Sequence, residues 1–131
     1  MKPNSSILII DDCKTHLLVT KVILTKSLHF TNISMVNSGE EGLQWIEDFY
    51  KTSAENLLIF LDIKMPEMDG FAFLEAFHLL DESIKDKIQI LMLSSTLDTE
   101  DITRAADNVY VTALLTKPLS VTELRKYITI E

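Results

Sequence analysis

Leu57-Leu58-Ile59-Phe60-Leu61-Asp62-Ile63-Lys64-Met65-Pro66-Glu67-Met68-Asp69-Gly70 is the stretch whose reading decides the fold. Its first five residues are apolar without a break. A run this short, apolar on both faces, reads as a strand fully buried in a parallel sheet. Pro66 and the Asp69-Gly70 pair then mark a loop. Asp62 therefore stands at the exposed C-terminal tip of a central strand. In open α/β sheets that edge is where ligands and chemistry gather.

Working outward, strand-like and helix-like segments alternate. Ile7 to Ile10 reads as a strand that ends in Asp11-Asp12. From about Thr15 to Ser27 apolar residues recur at helical spacing, with Leu17, Leu18, Val22, Leu24 and Leu28 as the apolar set. Ile33 to Val36 is a more polar strand, as suits a sheet edge. Ser38-Gly39-Glu40-Glu41 opens a helix with Leu43, Ile46 and Tyr50 on one face. A third helix runs from Phe71 to about Leu80, with Leu74 and Phe77 inward. Ile88 to Leu93 is a fourth strand. Asp98 or Thr99 caps a helix whose inward face reads as Ile102, Ala105, Ala106 and Val109. Ala113 to Leu115 is a fifth strand, and Val121, Leu124 and Ile128 line a last helix. Five β-α units imply a doubly wound α/β fold, a parallel sheet with helices on both faces. The order 2-1-3-4-5 suits five strands with a polar second strand at one edge.

Composition narrows the function. At 131 residues the expectation is one domain spanning 1–131, with 47% hydrophobic and 24% charged residues. The formal net charge of −8 argues against a nucleic acid partner and an anionic membrane surface. The single cysteine, Cys13, excludes an internal disulfide or a cysteine-rich zinc site. Its neighbouring aspartates oppose a thiolate, so it reads as a bystander. His16, His29 and His78 are scattered and read as bystanders too. No segment resembles a signal peptide or a membrane span, so a cytoplasmic protein is expected.

The strand ends collect a chemical set. Strand one supplies Asp11 and Asp12, strand three Asp62, strand four Ser94 and Ser95, and strand five Lys117. In the 2-1-3-4-5 order strands one and three are neighbours, so three carboxylates converge. Close like charges raise one another's pKa values unless a cation neutralises them. An all-oxygen donor set suits a hard cation such as Mg²⁺. A lysine and a hydroxyl on the other flank suit anionic oxygens. Together these make a site for a phosphoryl group, with the central carboxylate a candidate nucleophile.

The five pieces Ile-Ile-Asp11-Asp12, the apolar run into Asp62, Met65 to Gly70, Leu93-Ser94-Ser95 and Thr116-Lys117-Pro118 resemble the receiver domain of two-component response regulators, with the CheY-like, flavodoxin-like fold. The resemblance covers Ile7 to Ile128. It implies that Asp62 is the phosphoacceptor, charged from a histidine kinase or a histidine phosphotransfer protein. It implies Mg²⁺ or Mn²⁺ held by Asp12 directly, by Asp11 largely through water, by Asp62, and by the backbone carbonyl of Lys64. Ser94 resembles the switch hydroxyl. Ser95 sits where access to the phosphoryl group is set. Lys117 resembles the lysine that pairs with a phosphoryl oxygen, and its bond to Pro118 is commonly cis in this family. Lys64 and Thr96 resemble two variable rim positions that tune the lifetime of the phosphorylated form. The expectation is that Lys64 folds over the phosphoryl oxygens. Leu114 stands where the family usually has a switch aromatic, and Tyr110 is out of register for that role.

A stand-alone receiver is expected. Its downstream target would be a protein bound on the face of the fourth helix, fifth strand and fifth helix of the family, here Thr99 to Val109, Ala113 to Leu115 and Val121 to Ile128. A phosphorylation-dependent homodimer is a further expectation. The protein is read as no enzyme beyond its own phosphorylation and dephosphorylation. Three alternatives stand beside this. A pseudo-receiver would bind partners without phosphotransfer. An aspartyl-phosphate phosphohydrolase would carry a second Asp where Lys64 stands. A flavodoxin-like cofactor binder is disfavoured by carboxylates that would repel FMN phosphate.

Overall fold

The Leu57 segment forms β3 (Leu57–Asp62), the middle strand of a five-stranded, all-parallel sheet. The structure is a computed structural model, and it describes residues 6–96 and 98–128. The rest of the expected 1–131 domain lies outside the described residues. Around β3 stand β1 (Ser6–Ile10), β2 (Ile33–Val36), β4 (Ile88–Ser94) and β5 (Val111–Thr116), in the order β2-β1-β3-β4-β5. β1, β3 and all of β4 from Ile90 onward are buried, whereas β2 and β5 at the edges are largely half-buried.

Successive strand residues point to opposite faces, and this divides the core. Leu8, Ile10, Ile59, Leu61, Ile90 and Met92 pack with Ile46, Phe73 and Phe77 on one side. Ile7, Ile9, Leu58, Phe60, Leu91 and Leu93 pack with Leu17, Leu24, Leu28, Leu124 and Ile128 on the other. Helices α2 (Gly39–Thr52) and α3 (Gly70–Phe77) therefore cover the first face. Helices α1 (Lys14–Leu28) and α6 (Val121–Leu124) cover the second. A strand buried on both faces must be apolar throughout, which is why the run into Asp62 does not alternate.

Helix starts follow the local chemistry of capping. Ser38 accepts from the Glu41 N–H, Asp69 from the Ala72 N–H, and Ser120 from the Glu123 N–H. Asp98, rather than Thr99, caps α5 (Thr99–Asp107) by accepting from the Glu100 N–H. His29 closes α1 in the left-handed region, with φ 61.

Four local expectations change. In α1 the stripe of Leu17, Thr20, Leu24 and Leu28 is buried against the sheet, with Ile23 half-buried beside it, and Leu18 and Val22 stay 57% and 51% exposed. The third helix stops at Phe77, and a separate short helix, α4 (Glu82–Lys85), precedes β4. The last helix ends at Leu124, and the chain continues through turns to the buried Ile128. Most consequential is α5, whose buried residues are Asp101 and Ala105. Ile102 and Val109 face out, 42% and 87% exposed. Small Ala105 fits against the sheet, Asp101 meets a lysine from the β3–α3 loop, and Arg104 lays its guanidinium 3.9 Å over the Phe71 ring. These contacts orient the helix against its apolar pattern.

Candidate functional site

Strand register assembles the site. Ile10 lies opposite Leu61, so the next residues, Asp11 and Asp62, emerge side by side. Asp62 lies opposite Leu93, so Ser94 follows just beyond it. Ser94 lies opposite Thr116, which brings Lys117 to the same edge. The Lys117 N–H also donates to the Ser94 carbonyl at 2.9 Å.

The loop after β3 is pressed against that edge. The Gly70 N–H donates to the Ile63 carbonyl at 2.8 Å. A Cβ on Gly70 would stand 2.7 Å from the Asp62 carbonyl oxygen, so a side chain there has no room. Within the loop the Met68 N–H donates to the Pro66 carbonyl across Glu67, which has φ 66. That γ-turn holds a non-glycine residue in a strained region, as turns beside functional sites often do.

Asp11 and Asp62 are buried and Asp12 is exposed. One oxygen from each of the three carboxylates lies within 4.8 Å of the others. Asp11 Oδ1 accepts from the Cys13 N–H at 3.0 Å. The Lys117 ammonium has three acceptors for its three protons. These are Asp11 Oδ2 at 2.7 Å, Asp62 Oδ1 at 3.0 Å and His16 Nδ1 at 3.1 Å. The Asp62 carboxyl is pushed up to about 6 in all, and burial is the largest cause. Within that balance the Lys117 hydrogen bond and charge lower it, and the charges of Asp11 and Asp12 add to the rise. For Lys117 itself burial opposes the charge, but hydrogen bonds to Asp11 and Asp62 outweigh it and the pKa is raised. Three clustered carboxylates, the outer one exposed, fit a small hard cation with water in the remaining positions. When bound, such a cation would neutralise phosphoryl oxygens.

The remaining expected residues fall as follows. The buried Ser94 hydroxyl donates to the Thr96 carbonyl and accepts from the Thr96 N–H at 3.2 Å, so it faces its own loop. Ser95 and Thr96 are exposed. Ser95 joins His16, Val19, Thr20, Lys117 and Pro118 in lining a cleft of about 220 Å³ beside the carboxylates. The Lys117-Pro118 peptide is cis. Leu114 is half-buried against the first core. Tyr110 packs edge-on against Phe77 and hydrogen-bonds His78, tied away from the carboxylates. The Lys64 side chain lies not over Asp62 but 3.7 Å from Asp101 Oδ2.

Over residues 7–129 the chain matches the family model described as Response regulator receiver domain. The chain belongs to this family. The receiver domain is 29% identical over 119 residues to a probable chemotaxis protein CheY of Rhizobium etli, covering 91% of this chain and 85% of that protein. It is 30% identical over 92 residues to a probable histidine kinase 5 of Oryza sativa subsp. japonica, covering 70% of this chain but only 7% of that protein's length. A response regulator receiver protein from Dyadobacter fermentans superposes with a TM-score of 0.81 at 32% identity, covering 92% of each chain. A two component response regulator from Cytophaga hutchinsonii gives 0.87 at 26% identity, covering 95% of this chain and 94% of that one. Receiver domains of two-component signalling work with histidine kinases and phosphotransfer proteins. Among the described residues of this one, no helix is long and apolar enough to cross a membrane.

Two residues at or near the receiver's strand ends escape a sequence reading. His16 has no second histidine near it in the sequence, yet four residues after Asp12 it lies in the first turn of α1 and turns back over Lys117. Asp101 looks like a solvated first-turn charge but is buried. In the sequence nothing separates it from Glu100 beside it.

Proposed function

We propose that this receiver domain accepts one phosphoryl group on Asp62 from the phosphohistidine of a kinase or phosphotransfer protein, in a reaction that requires Mg²⁺ or Mn²⁺. The observation that carries the reading is the position of Asp62. It is buried at the end of β3, clustered with Asp11 and Asp12, and held by Lys117 at 3.0 Å. A carboxylate oxygen of Asp62 attacks phosphorus, the O–P bond forms, and the N–P bond of the donor breaks. The imidazole leaves with the bonding pair and takes up a proton. Asp11, Asp12, Asp62 and the Lys64 carbonyl would hold the cation, which would offset the negative charge of the phosphoryl oxygens. Lys117, already between Asp11 and Asp62, is placed to take a phosphoryl oxygen as the carboxylate surrenders its charge. With a pKa of about 6, Asp62 is mostly ionised, and so nucleophilic, at pH 7.

The product is a signal read by another protein. Two exposed apolar residues, Ile102 on α5 and Val109 in the turn that follows it, support the α5–β5–α6 face as the contact surface. A phosphohydrolase reading lacks its second carboxylate, since Lys64 occupies that place and its ammonium is drawn to Asp101. Intact mass after incubation with acetyl phosphate and Mg²⁺ tests the proposal. One added phosphoryl group, alkali-labile and lost with chelator or with Asp62→Asn, is expected. Equal uptake by Asp62→Asn removes Asp62 as acceptor. Steady release of phosphate from generic phosphomonoesters favours the hydrolase.

A further inference from the structure

Asp101 stands in the first turn of α5 with its side chain only 9% exposed. Its Oδ2 is buried and receives no hydrogen bond. The cation it has is the Lys64 ammonium at 3.7 Å, beyond hydrogen-bond length. The Lys64 side chain is 64% exposed, a flexible stem two residues after Asp62. One end of the pair is fixed in the interior and the other is free to swing. Arg104, one turn further on, is committed to the Phe71 ring and does not replace it.

Charge bookkeeping shows why the pair is unstable to phosphorylation. A divalent cation and Lys117 together match Asp11, Asp12 and Asp62. Converting the Asp62 carboxylate to an acyl phosphate adds negative charge that neither matches. Lys64 is the mobile cation on the adjoining loop. A carboxylate left buried without its cation is strongly disfavoured, and a helix end can relieve it by opening to water.

We propose that Asp101 is a positioning residue that acts through Lys64. In the resting domain it holds the ammonium away from the site. When Asp62 is phosphorylated, Lys64 moves to the phosphoryl oxygens, Asp101 loses its cation, and the first turns of α5 open to hydrate it. This rests on Asp62 as phosphoacceptor. It supplies a route from the site to α5 that needs no aromatic at the position of Leu114.

Amide exchange over residues 102–106 decides it, measured on the parent, Lys64→Gln, Asp101→Asn and the double variant. Without phosphodonor, Lys64→Gln exchanges at least about tenfold faster than the parent, because Asp101 is already stripped of its cation. The double variant returns to the parent rate, which two independent structural losses would not do. After phosphorylation, verified by intact mass, the parent speeds up and Asp101→Asn does not. Asp101→Leu, which leaves no polar group to bury, is a second unresponsive variant should the amide fold poorly. Parent-like exchange in Lys64→Gln, or a double variant as fast as Lys64→Gln, overturns the proposal. So does a phosphorylated Asp101→Asn that responds like the parent. Absence of any mass adduct in the parent sinks the phosphoacceptor reading instead, and the resting comparison still decides whether Asp101 acts through Lys64.

Discussion

Asp62 is a carboxylate in a place that disfavours its charge, and the sign of that cost is measurable. Burial is the main cause of its pKa standing at about 6, against an ordinary 3.8. Between those two values the folded chain keeps a proton that the unfolded chain has released. Stability therefore falls as pH rises through that window, and the full cost is present above it. In divalent-free buffer Asp62→Asn is expected to be more stable than the parent at pH 7. Its advantage should grow from about pH 4 to about pH 6 and level off above. Denaturant unfolding at a series of pH values checks this, and an advantage that does not change with pH would contradict it. Leu114, by contrast, offers no hydroxyl and packs passively against the core.

At the scale of elements, the loop after β3 and the orientation of α5 carry the consequences. Gly70→Ala puts a methyl group 2.7 Å from the Asp62 carbonyl oxygen and 3.0 Å from the Ile63 Cα, both backbone atoms. A destabilisation of about 1–3 kcal/mol is expected. Gly39→Ala is the control, since its nearest neighbour is the flexible Met68 side chain, and it should cost less. Urea midpoints at constant slope compare the two. The inverted face of α5 makes a second prediction. Ile102→Glu, on the exposed side, should change stability by no more than about 0.5 kcal/mol. Ala105→Glu buries an unpaired carboxylate in a site that is 2% exposed, and should cost several times more. A reversed ranking would mean that α5 sits with its apolar stripe inward.

For the molecule as a whole, the three carboxylates tie the sheet's stability to its ligand. Lys117 offsets part of their repulsion in the metal-free domain, at 2.7 Å from Asp11 and 3.0 Å from Asp62. A divalent cation that binds only the folded state stabilises by linkage, about 2.7 kcal/mol at a hundredfold excess over its Kd. Melting temperature should therefore rise with Mg²⁺ and saturate. Asp12→Ala should abolish the rise while leaving the metal-free fold intact, because Asp12 is exposed. A parent whose melting temperature ignores Mg²⁺ would defeat the reading of the acidic cluster. The two core halves remain in either case, since they depend on β1, β3 and β4 being apolar on both faces.

The sequence alone determined the strands, their order and the residues at their ends. An apolar run closed by an acidic or turn residue is a local pattern, and a parallel sheet sends every such end to one edge. Asp11, Asp12, Asp62, Ser94 and Lys117 were legible for that reason. Only the tertiary structure decided what depends on distance between residues remote in sequence. It brought His16 to Lys117, set Lys64 against Asp101, and turned the Ser94 hydroxyl into its own loop. It also chose the face of α5. Helical periodicity proposed Ile102 and Val109, but a nine-residue helix is oriented by what its neighbours offer. Those neighbours offered a lysine to Asp101 and an aromatic ring to Arg104.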